Sequence, residues 1–319
     1  MNLCVAAIQL PAAVESIDGR LREIEARMRF ASAQGARSLV LPELSLTGYG
    51  FGPRAITRAE PVPGPIVAAL AGLARLYDVI AVAGVIERSG SDCFDTFVVV
   101  GPDGYLGKYR KIHVAFTENA YWNRGDCAGI VATDIGAIGL GICADMAYRT
   151  PWAWYRDRVD IVAVGSAWPD WRGKRFFPVS HGCRRTIAEA ILSLPRKISR
   201  LLGVPVVHAN CCGSFSANLV PFHNSRFLHG GCSNIAQGET LAQAEAGEQA
   251  AVVIAQVQLG NRRGEESEWS GPWIPGATSS MQMQVYGGAA VLNPLFRGQY
   301  ALARRARQKL LQCRNATAG

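Results

Sequence analysis

The residue best suited to nucleophilic chemistry is Cys143, which directly follows a short apolar run, Ile138 to Ile142. Such a run is typical of a buried strand. A small residue, an acid and a helix-compatible stretch opened by Pro151 come next. A cysteine at a sharp exit from a strand is held out of the core beside backbone N–H groups, as a nucleophile and its oxyanion require. A lone cysteine is more often simply buried, so the interpretation depends on the residues upstream.

An acidic residue upstream has a similar position in its segment. Glu43 follows the apolar run Ser38 to Leu41, and a carboxylate there is costly to bury without a partner. An isolated glutamate would ordinarily be a solvated loop acid. The residues that follow, 46 to 49, keep the segment apolar. We therefore interpret Glu43 as a part-buried functional carboxylate.

A lysine between these two residues has two interpretations. Lys111 stands in a basic cluster with Lys108 and Arg110, which is typical of a solvated surface. It is alternatively an electrophilic lysine near the sulfur of Cys143. Seven residues further on, Glu118 precedes an aromatic loop that forms either a surface flap or a pocket wall.

The length of 319 residues fits a single large α/β domain, and a hydrophobic content of 49% provides for a large core. No apolar run is long enough to cross a bilayer. The start, Met1 to Val5, has neither the basic region nor the cleavage site of a signal peptide. The nine cysteines have no framework spacing. We therefore expect a cytoplasmic protein in a reducing compartment.

Most of the excess positive charge, +8 in total, lies in the C-terminal tail, where no acidic residue follows Glu268. No aromatic-rich basic motif accompanies it, so nucleic-acid binding is disfavoured. We expect a loop at 261–280 and a basic helix near 299–312 whose face is solvated or contacts another subunit.

Strands and helices alternate early in the chain, and short antiparallel strands come late. The predicted helices lie near 16–34, where Ile17, Leu21, Ile24 and Met28 share one inner face, and near 65–77, 150–158 and 186–202. Residues 170–185 are polar and irregular. The predicted strands are Leu3 to Leu10, Ser38 to Leu41, Val79 to Glu87, Phe94 to Val100, Ile138 to Ile142, Ile161 to Val164, Val204 to Ala209, Cys232 to Ile235, Thr240 to Ala244 and Ala251 to Val257. This order predicts a layered α/β domain with a mixed sheet or a pair of sheets.

Six stretches occur in order between Leu3 and about Val257: LVLPELSLTGYG, GKYRKIHVAFTENAYWNRGD, IGLGICADMAYRTPW, IVAVGSAWP, GVPVVHANCCG and HGGCSNIAQGETLAQAEAGEQAAVVIAQV. Together they resemble the nitrilase superfamily, the carbon–nitrogen hydrolases with a Glu-Lys-Cys triad. One such motif is weak evidence, whereas six in the family order are specific. The resemblance implies a four-layer αββα sandwich over residues 1–260, with 261–319 as a C-terminal extension.

The resemblance also implies roles for the residues that match the motifs. Glu43 is expected to be the general base, Lys111 the oxyanion stabiliser and Cys143 the nucleophile, while Glu118 helps to position substrate and lysine. The implied reaction is hydrolysis of a non-peptide C–N bond through a thioester. A carboxylate fits this chemistry because a free thiol has a pKa of about 8.5 and must lose its proton to attack.

Departures from the family pattern bear on the substrate. Family members that hydrolyse nitriles carry the motif Cys-Trp-Glu at the nucleophile, where this chain has Cys143, Ala144 and Asp145. Members that hydrolyse N-carbamoyl amino acids carry basic residues soon after the cysteine, where this chain has Met146 and Ala147. We therefore expect an amidase-like enzyme for neutral amides. The expected substrate-binding residues are Ala144, Tyr49, Phe116 and Trp168.

Several alternatives stay open. The alternatives to an amidase are a nitrilase, an N-carbamoyl amide hydrolase in which an arginine such as Arg149 binds the substrate carboxylate, and a catalytically silent binding protein of the same fold. An acyl transferase is a further option, although the membrane-bound members of the family carry membrane helices that we do not find here. We expect no cofactor and no metal, with His223 and His229 as ordinary loop residues. The expected partners are the small-molecule substrate and further copies of the chain, in a homodimer or larger homo-oligomer.

Overall fold

The computed structural model of the protein describes residues 1–50, 56–115, 118, 121–170, 181–220, 223–247, 249–260, 264 and 305. The predicted C-terminal extension therefore lies outside the described residues apart from two positions. Phe116 and most of the polar segment 170–185 lie outside them as well. The boundary at residue 260 stays a prediction.

The described residues form strands and helices that alternate for the first two thirds of the chain. The strands are β1 Asn2–Pro11, β2 Ser38–Val40, β3 Ile80–Ser89, β4 Asp92–Gly101, β5 Gly104–Arg110, β6 Ile130–Thr133, β7 Gly136–Ile142, β8 Ile161–Ser166, β9 Pro169–Asp170, β10 Val206–Cys212, β11 Ser214–Val220, β12 His223–His229, β13 Asn234–Gln237, β14 Glu239–Gln243 and β15 Ala251–Gln258. The helices are α1 Ile17–Ala33, α2 Pro65–Tyr77, α3 Thr150–Ala153 and α4 His181–Leu202, with a short 3-10 helix at Cys143–Ala147. None of them combines the length and hydropathy needed to cross a bilayer.

The larger strands form two six-stranded halves. The first has the order β15-β1-β2-β3-β4-β5 and the second β6-β7-β8-β10-β13-β14. The halves join where β1 and β10 pair in parallel, at Leu10 with Cys211 and Pro11 with Cys212. β9, β11 and β12 form a separate small sheet.

Two apolar layers hold these halves and the helices together. Alternate residues of β1 point to opposite faces, so Val5 and Ala7 pack in one layer while Ala6 and Ile8 pack in the other. The first layer lies between the two halves of the sheet and extends to Leu194 of α4. The second lies between the first half and helices α1 and α2. The order of layers is therefore helix, sheet, sheet, helix, which confirms the αββα sandwich.

Most predicted elements agree with the structure, but four expectations differ from it. The predicted helix 150–158 is only the four-residue α3, since the chain turns at Asp157, which has a φ of 57°. Helix α4 begins at His181, within the stretch expected to be irregular. The expectation that His223 and His229 are loop residues is wrong because they are the two ends of β12, and His229 is buried.

The fourth difference is on helix α1, whose buried face includes a charged residue as well as Ile24 and Met28. Arg20 is 4% exposed and donates hydrogen bonds to the carbonyl oxygens of Pro11 and Ala13 at 2.6 and 2.7 Å. Burial of this guanidinium is possible because Glu23 pairs with it at 2.9 Å. Ile17 and Leu21, expected on the inner face, are only half-buried.

Gly84 in β3 allows the loop after β2 to approach the sheet, and a Cβ there would overlap the backbone nitrogen of Leu44. We predict that Gly84→Ala lowers the free energy of unfolding by about 1–3 kcal/mol through overpacking. Gly72→Ala is the matched control, since Gly72 lies in α2 with nothing near its Cβ position. Alanine should stabilise that helix by up to about 1 kcal/mol. Thermal unfolding measures both, and equal stability of the two variants would contradict the close approach.

Candidate active site

The directions of the strands place Glu43, Lys111 and Cys143 at the same edge of the two sheets. Glu43 follows β2, Lys111 directly follows β5 and Cys143 directly follows β7. β2 runs parallel to β1 and, through β10 and β8, to β7. It also runs parallel to β3, from which two antiparallel steps lead to β5. The carboxyl ends of all three strands therefore point the same way, where open α/β folds build their sites.

The centre of the site is the buried ammonium group of Lys111. Its Nζ donates hydrogen bonds to Glu43 Oε1 and, at 2.7 Å, to Glu118 Oε2, and it lies 3.4 Å from Asp95 Oδ2. All four side chains are essentially without solvent exposure. Burial alone would lower the pKa of Lys111, but the charges of Glu118 and Glu43 outweigh it and raise the pKa well above its usual value. Lys111 is therefore a cation at neutral pH.

Glu43 is held by groups from both halves of the fold. Its Oε2 accepts the N–H of Ala167 at 2.7 Å, from the segment after β8. The backbone turns sharply behind it, as Leu44 has a φ of 49°. Burial would raise the pKa of Glu43, but the Lys111 ammonium and hydrogen bonds from Asp95, Lys111 and Ala167 lower it. Glu43 is therefore an ionised carboxylate.

Cys143 is the first residue of the 3-10 helix and has a φ of 47°, in the left-handed region. A non-glycine residue in this conformation is uncommon and strained, and such strain collects at functional sites. The side chain is 7% exposed. Burial, then the charge of Glu43, raises the pKa of the Cys143 thiol well above its usual value, and the Lys111 ammonium only partly opposes this. The resting sulfur is therefore a protonated thiol.

Asp145 fixes the turn on which Cys143 sits. Its Oδ2 accepts the N–H of Ile142 at 3.0 Å and the hydroxyl of Tyr109 at 2.8 Å. Its Oδ1 accepts the backbone N–H of His113 at 2.9 Å and contacts the ring nitrogen Nδ1 of the same residue at 3.0 Å. Since Tyr109 and His113 belong to the segment around Lys111, one carboxylate connects the lysine and cysteine segments.

Glu118 is fixed by three donors. Besides Lys111, its oxygens accept the hydroxyl of Tyr49 at 2.8 Å and the N–H of Ala115 at 2.8 Å. The ring of Tyr49 packs edge-on against His229, with 5.6 Å between centroids. Tyr49 therefore lies in the same polar network as the lysine.

The remaining predicted substrate-binding residues have different positions. Ala144 follows Cys143 in the 3-10 helix and is 6% exposed. Trp168 is buried, and its backbone N–H donates to Asn210 Oδ1 at 2.8 Å. Met146 is fully buried in the layer between the sheets, so its side chain contributes packing. Phe116 lies outside the described residues.

A family model described as carbon-nitrogen hydrolase matches residues 4–264. The chain belongs to the carbon–nitrogen hydrolase family. It is 38% identical over 146 residues to a nitrilase of Pyrococcus abyssi, covering 44% of this chain and 55% of that protein. It is 34% identical over 134 residues to an omega-amidase of Homo sapiens, covering 38% of this chain and 48% of that protein. The matched part thus spans about half the length of these curated relatives.

The fold is similar to that of an amidase from Nesterenkonia sp. AN1. The two structures superpose with a TM-score of 0.63 at 18% identity, over 80% of this chain and 90% of the other. That amidase was solved as a mutant with the acetamide moiety of fluoroacetamide added covalently at its active-site cysteine. At this identity the likeness supports the αββα fold of the nitrilase superfamily.

The sequence motifs of the carbon–nitrogen hydrolase family gave no role to Asp95, Asp145 or Ala167. The sequence does contain an indication that Asp95 is a functional residue, because it is an acid within the apolar strand β4. The sequence has no signal for Ala167, since it contacts Glu43 through its backbone N–H and Glu43 is 124 residues away. The His229 ring, at the end of β12, was likewise not expected at the site.

The carboxyl oxygens of Glu43, Asp95 and Glu118 lie within 4.8 Å of one another, a spacing that could hold a cation. The ammonium of Lys111 already lies within 3.4 Å of an oxygen of each. We therefore assign the cation position to the lysine itself, and a metal-free site stays a prediction.

We predict that Asp145→Ala makes Cys143 less reactive and lowers the free energy of unfolding by at least about 2 kcal/mol, because it leaves buried donors without their acceptor. Asp134→Ala is the control, since Asp134 is exposed and pairs with the surface residue Arg37. Iodoacetamide labelling, followed by peptide mass spectrometry, measures reactivity at Cys143. Equal labelling in Asp145→Ala and wild type would contradict the tethering role.

Proposed function

We propose that the protein is a thiol-dependent hydrolase of non-peptide C–N bonds, with neutral amides as its preferred substrates. The observation that carries the proposal is the buried Lys111 ammonium, which binds both Glu43 and Glu118, with Cys143 at the end of β7 on the same edge of the fold. This arrangement supplies a nucleophile, a base and a cation in a region that excludes water. The family model supports hydrolysis of C–N bonds as the reaction class.

In the first step, the sulfur of Cys143 attacks the amide carbon while Glu43 takes the thiol proton. The pKa of the thiol is raised and that of the carboxyl is lowered, so the proton leaves only as the S–C bond forms. The carbonyl π electrons move to oxygen. The N–H of Ala144 and the ammonium of Lys111 stabilise this oxyanion, and one such donor is typically worth about 3–4 kcal/mol.

The tetrahedral intermediate then collapses as Glu43 returns its proton to the nitrogen. The C–N bond breaks, an amine or ammonia departs, and a thioester on Cys143 remains. Glu43 next takes a proton from a water molecule that attacks the thioester, and the S–C bond breaks to release the acid. The sulfur recovers its proton from Glu43, which restores the starting state.

Glu118 and Tyr49 position the lysine in this scheme. The Tyr49 hydroxyl and the Ala115 N–H hold Glu118, and Glu118 accepts a hydrogen bond from the Lys111 ammonium, which also binds Glu43. The lysine therefore keeps one direction in which its charge can act on a developing oxyanion. Preorganisation of this kind avoids rearrangement during the reaction.

The covalent addition at the cysteine of the Nesterenkonia amidase supports a nucleophilic cysteine. The omega-amidase among the relatives supports amides as substrates. A nitrilase is the second candidate, because the Pyrococcus abyssi relative is one. Ala144 has a small side chain at the position where family members that hydrolyse nitriles carry tryptophan. This difference favours an amide over a nitrile as the substrate.

We predict that Cys143→Ala, Glu43→Gln and Lys111→Ala each lower kcat by at least about 10³-fold, and that the losses are not additive because the three act as one unit. Cys127→Ala is the matched control, since Cys127 is an exposed free thiol. Its kcat should equal that of wild type. Circular dichroism checks that each variant is folded. Near-wild-type turnover by folded Cys143→Ala would contradict the proposed nucleophile.

We also predict a substrate order. Neutral aliphatic or aromatic amides should have a higher kcat/KM than nitriles or N-carbamoyl amino acids, since a substrate carboxylate is costly to desolvate without a partner. Ammonia release from matched members of the three classes measures this order. A nitrile in first place would refute the inference from Ala144, and an N-carbamoyl amino acid in first place would indicate a carboxylate clamp.

A further inference from the structure

Asp95 stands in the middle of β4 and is fully buried beside the proposed catalytic residues. Neither of its carboxyl oxygens accepts a hydrogen bond from a group that the structure describes. The nearest cation is Lys111, whose Nζ is 3.4 Å from Oδ2. This is too long for a good hydrogen bond, and the same ammonium already binds two other carboxylates.

We propose that Asp95 is a protonated positioning residue, whose carboxylic O–H donates to Glu43 and holds Glu43 in place as an ionised base. The role given to Glu43 rests on the proposed function above. The protonation state of Asp95 does not, since it follows from the surroundings of the carboxyl group.

The charges around Asp95 require a proton in the cluster. The titratable groups that act on it are Glu43 after β2, Lys111 and Glu118 after β5 and Cys211 in β10, and Cys143 and Tyr49 belong to the same cluster around Glu43, Lys111 and Glu118. Only one of them is a cation. Three ionised carboxylates against one ammonium would leave two uncompensated negative charges in a region without solvent, which is costly.

The proton belongs on the carboxyl group with the fewest donors. Glu118 accepts three hydrogen bonds, and Glu43 accepts two, from Lys111 and the N–H of Ala167. Each such bond stabilises the ionised form. Asp95 accepts no hydrogen bond from the described residues. Protonation of Asp95 therefore loses less stabilisation than protonation of Glu43 or Glu118. An oxygen of Asp95 lies within 4.8 Å of an oxygen of Glu43, so Glu43 is a neighbouring carboxylate toward which a proton on Asp95 can be directed.

The electrostatics of the two groups agree with this assignment. Burial, followed by the charge of Glu43, raises the pKa of Asp95 well above its usual value, although Lys111 opposes the shift. The pKa of Glu43 moves the other way, and a hydrogen bond from Asp95 is among the causes. Two neighbouring carboxyl groups whose pKa values are driven apart can be assigned as one acid and one base.

Infrared difference spectroscopy of wild type against Asp95→Asn, at neutral pH and without substrate, tests the protonation state. We expect the carbonyl stretch of a protonated carboxylic acid in wild type and its loss in Asp95→Asn. Asp134→Asn is the matched control and should lose only carboxylate bands, because Asp134 is exposed and paired with Arg37. If Asp95→Asn also lost only carboxylate bands, Asp95 would be ionised and the proposal overturned.

Activity tests the positioning role. Asparagine can still donate a hydrogen bond to Glu43, so Asp95→Asn should keep kcat within about tenfold of wild type, whereas Asp95→Ala should lose at least about 100-fold. In Asp95→Ala the acid limb of the kcat/KM profile should also move to higher pH, since Glu43 loses a donor to its ionised form. Equal losses in both variants would overturn the role of Asp95 as a donor. If the wild-type protein had no activity on amides, nitriles or carbamoyl compounds, the proposed function would be wrong. The infrared experiment would still determine whether Asp95 is protonated.

Discussion

The burial of one lysine ammonium among three carboxyl groups is the constraint on which the site depends. A buried cation is tolerated only with counter-ions in good geometry, and removal of one partner typically costs about 3–5 kcal/mol. Glu43 and Glu118 provide those counter-ions from two separate segments of the chain. The ends of β2 and β5 must therefore meet, and the strand order of the first half of the fold brings them together.

The second half of the fold contributes the sulfur and the groups that align it. The backbone N–H of Ala167, after β8, reaches Glu43, while Asp145, after β7, accepts from Tyr109 and His113. These contacts cross between the two sheets and need the layers to be fixed relative to each other. The apolar layer between the sheets provides this rigidity, because close-packed interiors resist displacement. Strained backbone at Leu44 and Cys143 is stabilised by the same surroundings.

Much of the fold could be predicted from the sequence, since apolar runs such as Leu3 to Leu10 and Ile161 to Val164 fall within observed strands. The resemblance to the nitrilase superfamily predicted the αββα layers, and the residues that it named, Glu43, Lys111 and Cys143, lie together at one edge. What could not be predicted depends on long-range pairing. In the sequence, Asp95 is a single acid in an apolar strand, and only the fold brings Glu43, Lys111 and Glu118 close to it. His229 lies in a strand rather than a loop because β12 pairs with β11 and β9.

The central claim is that the sulfur of Cys143, assisted by Glu43 and Lys111, forms a thioester with the acyl part of the substrate. Acid quenching during a single turnover of an amide, followed by peptide mass spectrometry, tests it directly. We expect a mass increment equal to the acyl group on the peptide that contains Cys143, and its removal by hydroxylamine. An acyl group on another residue, or product formed without any covalent adduct throughout the time course, would contradict the account.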